Sequence, residues 1–356
     1  MRILIVGDSY FPSSAYREPF ERLAGRHELT FVDLADEPGW VAQTPSEQRL
    51  KETFGSPAAV ISTLDRHEVI VFQGAAISDA VLEAAPGLRA ICCARGGPVN
   101  VDIAAATERG IPVVTTPGKN AEAVADLTIG FIVMLARRLP EVARHVEGGG
   151  VFGHDNYEGS RWFGHDLGGK TLGLIGFGQV GSRVARRAVA FGMRVVVHDP
   201  FVPPAVIAES GGVAVDLETL VASADVISLH ARASADNRHL IGRAEVARMK
   251  RGSLLINTAR DTLVDEAALA EGLASGQVAG AALDLVSPSP LTGRHPLLAF
   301  PNVIITTHIG GATFETLHHA AEMIAAEIER LDAGEPLLNV ANRAGLKARG
   351  AGTAAG

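Results

Sequence analysis

The stretch that most constrains this chain runs from Lys170 to Pro200, KTLGLIGFGQVGSRVARRAVAFGMRVVVHDP. The apolar run Thr171 to Ile175 reads as a buried strand, and the apolar spacing from Ser182 to Phe191 predicts a helix. Gly176, Gly178 and Gly181 stand between them, and a second strand is predicted from Arg194 to His198, ending on Asp199. Strand, glycine turn, helix and strand in this order describe one half of a doubly wound nucleotide-binding sheet. Gly176 permits the tight turn, Gly178 lets the backbone approach a pyrophosphate, and Gly181 lets helix and strand pack closely. The start of the helix offers unpaired N–H groups and a positive dipole end to the phosphates. Asp199, 23 residues after Gly176, stands where a carboxylate accepts both hydroxyls of an adenosine ribose. Its charge opposes a 2′-phosphate, which favours NAD over NADP. Pro200 and Phe201 follow it, with no arginine beside Asp199 to receive such a phosphate.

The 356 residues suffice for two domains, each with its own core. Aromatic residues make up only 5 %, so small aliphatic side chains must fill the layers between helices and sheets. A net charge of -8, with no basic cluster or aromatic platform, gives no indication of a nucleic-acid partner. Cys92 and Cys93 are adjacent, poorly placed for a routine disulfide and without companions for a metal site. Arg2 to Gly7 already reads as a folded strand rather than a leader, and Leu127 to Ala136 is too short to span a bilayer. A reduced, cytoplasmic setting is expected, with no metal and no membrane association.

Strands are predicted at 2–7, 28–32, 69–72, 89–93 and 111–115, with helices near 19–23, 46–52, 78–85 and 101–109. This opening α/β unit lacks the dinucleotide glycines. One long apolar helix is expected from Asn120 to Leu139, followed by a surface loop from Glu147 to Asp166. After the cofactor unit come strands at 225–230, 253–257, 280–284 and 303–307, and helices at 242–249, 266–275 and 315–331. The fold class expected is α/β, with two doubly wound domains: a Rossmann-type NAD domain (120–309) inserted into a discontinuous, flavodoxin-like substrate domain (1–119 and 310–343). A Gly- and Ala-rich tail from 344 to 356 is expected to be disordered.

Ligands of doubly wound sheets sit beyond the C-terminal ends of the strands. Four predicted strand ends carry polar groups: the turn Arg95-Gly96-Gly97, His230 with Arg232, Arg260, and His308. Hydride transfer between a 2-hydroxy acid and NAD needs a base for the hydroxyl proton and a cation for the carboxylate. An imidazole at His308 suits the first role and the guanidinium fork of Arg260 the second, while the amides of Gly96 and Gly97 are candidates for the other side of the carboxylate. His230 reads as structural or cofactor-lining rather than as a base, and Asp102 as a helix N-terminal charge partner.

The motifs GGPVNVDIAAATERGIPVVTTPGKNAEAVADLTIG, GKTLGLIGFGQVG, RGSLLINTARDTLVDEAALAEGLASG, AGAALD and THIGGAT together make the chain, from about Arg89 to Asn339, similar to the D-isomer-specific 2-hydroxyacid dehydrogenases. Phosphoglycerate, glycerate and formate dehydrogenases belong to that family. The resemblance implies an NAD-dependent enzyme interconverting a D-2-hydroxy acid and its 2-keto acid, and a homodimer joined through the cofactor domain. By position, Arg260 matches the substrate-binding arginine, His308 the general acid/base, and Asp284 the acid near the nicotinamide amide. Arg95, Gly96, Gly97, Pro98 and Val99 match the carboxylate-binding loop. Cofactor contacts are expected from Gly176, Gly178, Gln179, Val180, Gly181, Asp199, Pro200, His230, Thr258, Ala259, Asp284, His308 and Gly310. The glutamate that pairs with the histidine in the family is here Ser289, which carries no charge to stabilise a protonated imidazole. Further departures are Val99, Asp261, Thr307 and Arg232, and Arg232 is expected to meet a second anionic or polyhydroxy group of a sugar-acid-like substrate. Loss of the glutamate also admits a non-enzymatic NAD-binding or regulatory protein, or a dehydrogenase for something other than a 2-hydroxy acid.

Overall fold

The computed structural model describes residues 1–150, 161–287 and 294–347. The chain divides into two units, Met1–Lys119 with the segment from Thr313 onward, and Asn120–Ala312.

The first unit is a five-stranded parallel sheet of β1 (Arg2–Gly7), β2 (Glu28–Asp33), β3 (Val69–Phe72), β4 (Ala90–Cys93) and β5 (Val113–Val114), in the order β2-β1-β3-β4-β5. Alternation along each strand sends side chains to opposite faces. Ile3, Ile5, Val69, Val71 and Cys92 pack with the helices Arg17–Ala24 and Phe314–Asp332, while Leu4, Val6, Ile70, Phe72 and Cys93 pack with Val81, Leu82 and Ala106 on the other face. Both faces are covered, so the strands read as unbroken apolar runs. The C-terminal segment joins this unit through hydrogen bonds from Thr115 N to Asn339 O (2.8 Å) and from Ala341 N to Val113 O (2.8 Å). Both cysteines are buried, and burial pushes the Cys93 thiol up to about 12. Such thiols are inert packing groups.

The second unit holds β6 (Thr171–Ile175), β7 (Arg194–His198), β8 (Gly212–Ala214), β9 (Val226–Leu229), β10 (Ser253–Asn257), β11 (Val278–Leu283) and β12 (Val303–Ile305). They form one parallel sheet in the order β12-β11-β10-β9-β6-β7-β8, which reverses direction between β6 and β9.

Several elements differ from expectation. The helix predicted over 120–139 ends at Ala136, and a second helix spans Leu139–Glu147. Pro140 is the cause: in a continuous helix its ring would clash with the carbonyl of Ala136. Arg138 instead adopts a left-handed conformation (φ 55°), and His165 N donates to the freed Ala136 carbonyl at 2.8 Å. The cofactor helix starts at Gln179, three residues before the predicted start, with Gly178 as its N-cap. The helices Pro57–Ile61, Pro204–Glu209 and Leu217–Ser223 and strand β8 gave no clear periodicity because each is short. At the C-terminus, Leu346 N still donates to Asn342 O at 3.1 Å, so chain order extends into the segment expected to be disordered. Residues 348–356 of that tail lie outside the described residues.

Candidate active site

The glycine turn after β6 is sterically specified. Gly176 has φ 95°, and a Cβ there would lie 2.5 Å from Ala231 N. A Cβ on Gly181 would lie 2.2 Å from Gly176 O, whereas one on Gly178 meets nothing within 4 Å. Two glycines therefore close the turn, and the third leaves open space above the helix start. The first-turn amides at Gln179, Val180 and Gly181 have no partners within the helix. Asp199, at the end of β7, accepts Phe177 N at 2.7 Å through Oδ2 and Phe201 N at 2.9 Å through Oδ1. Each oxygen keeps a lone pair for a ribose hydroxyl. This cradle fits a dinucleotide. Pro200 and the 92 % exposed Phe201 flank it.

Five adjacent strands of this sheet carry the predicted residues at their C-terminal ends: Gly176 after β6, His230 after β9, Arg260 after β10, Asp284 after β11 and His308 after β12. His230 Nε2 lies 2.9 Å from Ser228 Oγ, and burial lowers its pKa to about 3. It is therefore neutral across the physiological range and unsuited to the acid/base role. Thr258 Oγ1 meets Thr128 Oγ1 at 3.0 Å, anchoring the turn after β10 to the helix Ala121–Ala136. Asn257 shapes that turn by accepting Ala259 N (3.0 Å) and donating to Arg260 O (2.7 Å). The exposed Arg260 side chain donates from Nη1 to Ala259 O at 2.7 Å. Arg232 is also exposed, and its guanidinium has no partner among the described residues.

Asp284, only 2 % exposed, holds the His308 turn. Its Oδ1 accepts Thr306 Oγ1 (2.6 Å) and Ile309 N (2.9 Å), its Oδ2 accepts Gly310 N (2.8 Å), and its carbonyl accepts His308 N (2.8 Å). His308 itself has φ 60° and an exposed side chain. A Cβ on Gly310 would lie 2.8 Å from Asp284 Oδ2, so only glycine permits this approach. Ser289 lies outside the described residues. Among the described residues that flank it in sequence, Ser287 N donates to Glu266 at 2.9 Å, and Glu266 pairs with the buried His295 at 3.0 Å. The sequence reading passed over this pair, whose partners are 29 residues apart.

In the first unit, the turn Arg95 to Val99 follows β4. The amides of Gly96 and Gly97 have no partner among the described residues, and both residues are exposed, as is Val99; Pro98 is half-buried. Arg95 is not free for a ligand in this arrangement. Its Nε donates to Gln73 O (2.9 Å), its Nη2 to Glu52 O (2.8 Å), and its Nη1 pairs with Glu52 Oε2 at 2.5 Å. Asn100, fully buried, ties the same turn to Gln73 O (3.1 Å) and Ala75 O (2.7 Å). Asp102 caps the helix Ile103–Glu108 through Ala105 N at 3.2 Å.

A family model described as D-isomer specific 2-hydroxyacid dehydrogenase, NAD binding domain, matches residues 129–310. The chain is 38% identical over 271 residues to a glyoxylate reductase of Korarchaeum cryptofilum, covering 76% of this chain and 80% of that protein. The chain belongs to the D-isomer specific 2-hydroxyacid dehydrogenase family. Within the family it is also 39% identical over 280 residues to the D-3-phosphoglycerate dehydrogenase of Methanocaldococcus jannaschii, covering 78% of this chain and 52% of that protein. The chain thus spans about half the length of the phosphoglycerate dehydrogenases it matches. The crystal structure of a glyoxylate reductase from Paecilomyes thermophila superposes with a TM-score of 0.73 at 30% identity, covering 96% of this chain and 98% of that one. NAD is the cofactor of this 2-hydroxyacid dehydrogenase domain. Among the described residues no cluster of metal-ligating side chains occurs, and no helix is long and apolar enough to cross a membrane.

Cofactor choice in this family member is testable at Asp199. Asp199→Asn keeps an acceptor for a backbone amide but removes the charge. It is expected to weaken NADH binding about tenfold, close to 1.4 kcal/mol, and to narrow the preference over NADPH by at least that factor. Fluorescence titration with both cofactors checks this; an unchanged NADH-to-NADPH ratio would contradict the assignment.

Proposed function

We propose that this protein is an NAD-dependent oxidoreductase that interconverts a D-2-hydroxy acid and its 2-keto acid. The observation that carries the reading is the row of strand ends, in which neighbouring strands β10, β11 and β12 present Arg260, Asp284 and His308 beside the reversal point that bears the glycine turn. When bound, NAD supplies the hydride chemistry. Arg260 takes the carboxylate as a bidentate cation. His308 gives a proton to the C2 oxygen during reduction and takes it back from the hydroxyl during oxidation. Asp284 holds the turn that aims the imidazole, and the unpaired amides of Gly96 and Gly97 are suited to a carboxylate.

The test is NADH oxidation against glyoxylate, hydroxypyruvate, pyruvate and longer keto acids, for the wild-type protein and His308→Gln. Turnover on a subset of the acids, falling at least 100-fold in the variant, is expected. Tight NADH binding without turnover on any of them would instead favour a regulatory NAD-binding protein.

A homodimer through the NAD-binding unit is part of the same reading, supported by exposed Leu139 (45 %), Val146 (45 %) and Phe163 (76 %) on that unit. Sedimentation equilibrium tests it. The two buried free cysteines support a reducing, cytoplasmic setting.

A further inference from the structure

The first unit has its own reversal of strand order, between β1 and β3. In an open doubly wound sheet, such a pair of strand ends frames a crevice in which ligands bind. Asp8 follows β1, Gln73 follows β3 and the turn Arg95 to Val99 follows β4. Lys119 reaches the crevice from 46 residues beyond Gln73. Its Nζ lies 3.4 Å from Gln73 Oε1 and 5.6 Å from the centroid of the Phe11 ring. All of these residues belong to the first unit.

The chain has five lysines, and the surroundings of Lys119 set it apart. Lys51 and Lys347 are exposed, and Lys250 and Lys170 lie near the Asp225 carboxylate, the first at 2.5 Å. Lys119 is half-buried and has no ion pair among the described residues. The carboxylates around it are engaged elsewhere. Asp8 accepts Tyr10 N (2.9 Å), Phe11 N (2.8 Å) and Gly74 N (2.8 Å), and Glu52 pairs with Arg95. One long hydrogen bond and one aromatic face replace little of the hydration an ammonium gives up, so the site favours the neutral amine. Burial, with the Arg95 charge close by, lowers the Lys119 pKa to about 8. A desolvated lysine beside another cation is the usual form of an amine that attacks carbonyl carbon.

We propose that the Lys119 ε-amine is a nucleophilic site that condenses with the carbonyl carbon of a small 2-oxo acid to form an imine. The nitrogen lone pair adds to the carbonyl carbon, and a C=N bond replaces C=O. The oxygen leaves as water with both amine hydrogens, and nothing is oxidised or reduced. The acid class follows from the neighbouring turn. Thr116 N donates to Arg95 O at 2.8 Å, and a Cβ on Gly96 would lie 3.8 Å from Pro117 Cα, so the segment leading to Lys119 packs on the turn that bears the unpaired amides of Gly96 and Gly97. Those amides and the Arg95 charge favour a carboxylate beside the reacting carbonyl. The assignment uses the first unit alone and goes beyond the dehydrogenase reading, so either stands or falls without the other.

The test incubates the full-length protein, without nucleotide, with glyoxylate and sodium cyanoborohydride at pH 7. The hydride reagent traps an imine as N-carboxymethyl-lysine, and peptide mass spectrometry quantifies each of the five lysines. Lys119 is expected to be labelled about tenfold or more faster than any of the other four. With acetaldehyde, which lacks the carboxylate, that preference is expected to shrink by about threefold or more. Lys119→Arg keeps the charge and removes the nucleophile; it is expected to abolish the fast phase in intact mass while the slow labelling of the other lysines stays unchanged. Labelling spread evenly over the five lysines of the wild-type protein would overturn the proposal, as would a fast phase that persists in Lys119→Arg. An equal preference for Lys119 with acetaldehyde would overturn the 2-oxo acid assignment. The wild-type peptide map locates the adduct directly, so the test does not depend on the folding of the variant.

Discussion

Arg260→Ala is expected to lower kcat/KM for keto-acid reduction by 100- to 1000-fold, with NADH affinity and melting temperature nearly unchanged. The argument starts from the local fold. Asn257 fixes the turn after β10 through two backbone hydrogen bonds of 3.0 and 2.7 Å, so the position of residue 260 does not depend on its own side chain. The guanidinium is exposed and donates only to Ala259 O among the described residues, so removing it orphans no buried group. On the function proposed above, what is lost is a charge-assisted pair with the substrate carboxylate. Truncating one member of such a desolvated pair costs about 3–4 kcal/mol, which is the expected factor. Arg260→Lys keeps the charge but loses the planar fork, and should recover only part of the rate. Steady-state kinetics with a fluorescence titration of NADH separates the roles: a large loss of NADH affinity would move Arg260 from substrate to cofactor.

What the sequence revealed was governed by how local each determinant is. Gly176, Gly178, Gly181 and Asp199 lie within one strand, helix and strand, where spacing along the chain is nearly spacing in space, and the structure gives each glycine a distinct steric role. The buried parallel strands were legible as apolar runs because both faces of each sheet are covered. Pro140 was visible too, but the strength of the apolar pattern around it overrode the helix break it imposes. Lys119 gave no signal at all. Its neighbour Gln73 is 46 residues away, and only the parallel pairing of β1, β3 and β4 brings the two together. Arg95 was legible as a strand-end cation, yet its engagement by Glu52, 43 residues earlier, was not.

The Glu266–His295 pair bears on the residue that replaces the family's glutamate. Among the described residues one oxygen of Glu266 accepts Ser287 N and the other faces His295. Its carboxylate thus ties Ser287 to His295. By the family resemblance Ser289 takes the glutamate position, and a serine hydroxyl there would bring no charge to a protonated imidazole.

The second large effect is expected at Asp284. Asp284→Ala removes the acceptor for Thr306 Oγ1, Ile309 N and Gly310 N at once, in a place where the side chain was 2 % exposed. Unsatisfied buried donors cost about 1–3 kcal/mol each, and partial access of water to this turn brings the sum to about 3 kcal/mol. For a unit of this size that corresponds to a melting temperature lower by about 10 °C. The catalytic effect is expected to be larger than the stability effect. His308 sits at φ 60°, a conformation that costs a non-glycine residue about 1 kcal/mol and persists only while its surroundings impose it. Without the carboxylate the turn relaxes, and a displacement of about 1 Å in a reacting group suffices for a 100-fold loss in rate. Asp284→Asn keeps one acceptor oxygen but turns an NH2 group toward a backbone N–H, so its stability should fall between wild type and alanine. Calorimetric melting and kcat, measured with saturating NADH, test this together. If Asp284 instead acted chiefly on the nicotinamide amide, NADH affinity would fall while the melting temperature of the free protein stayed near that of wild type.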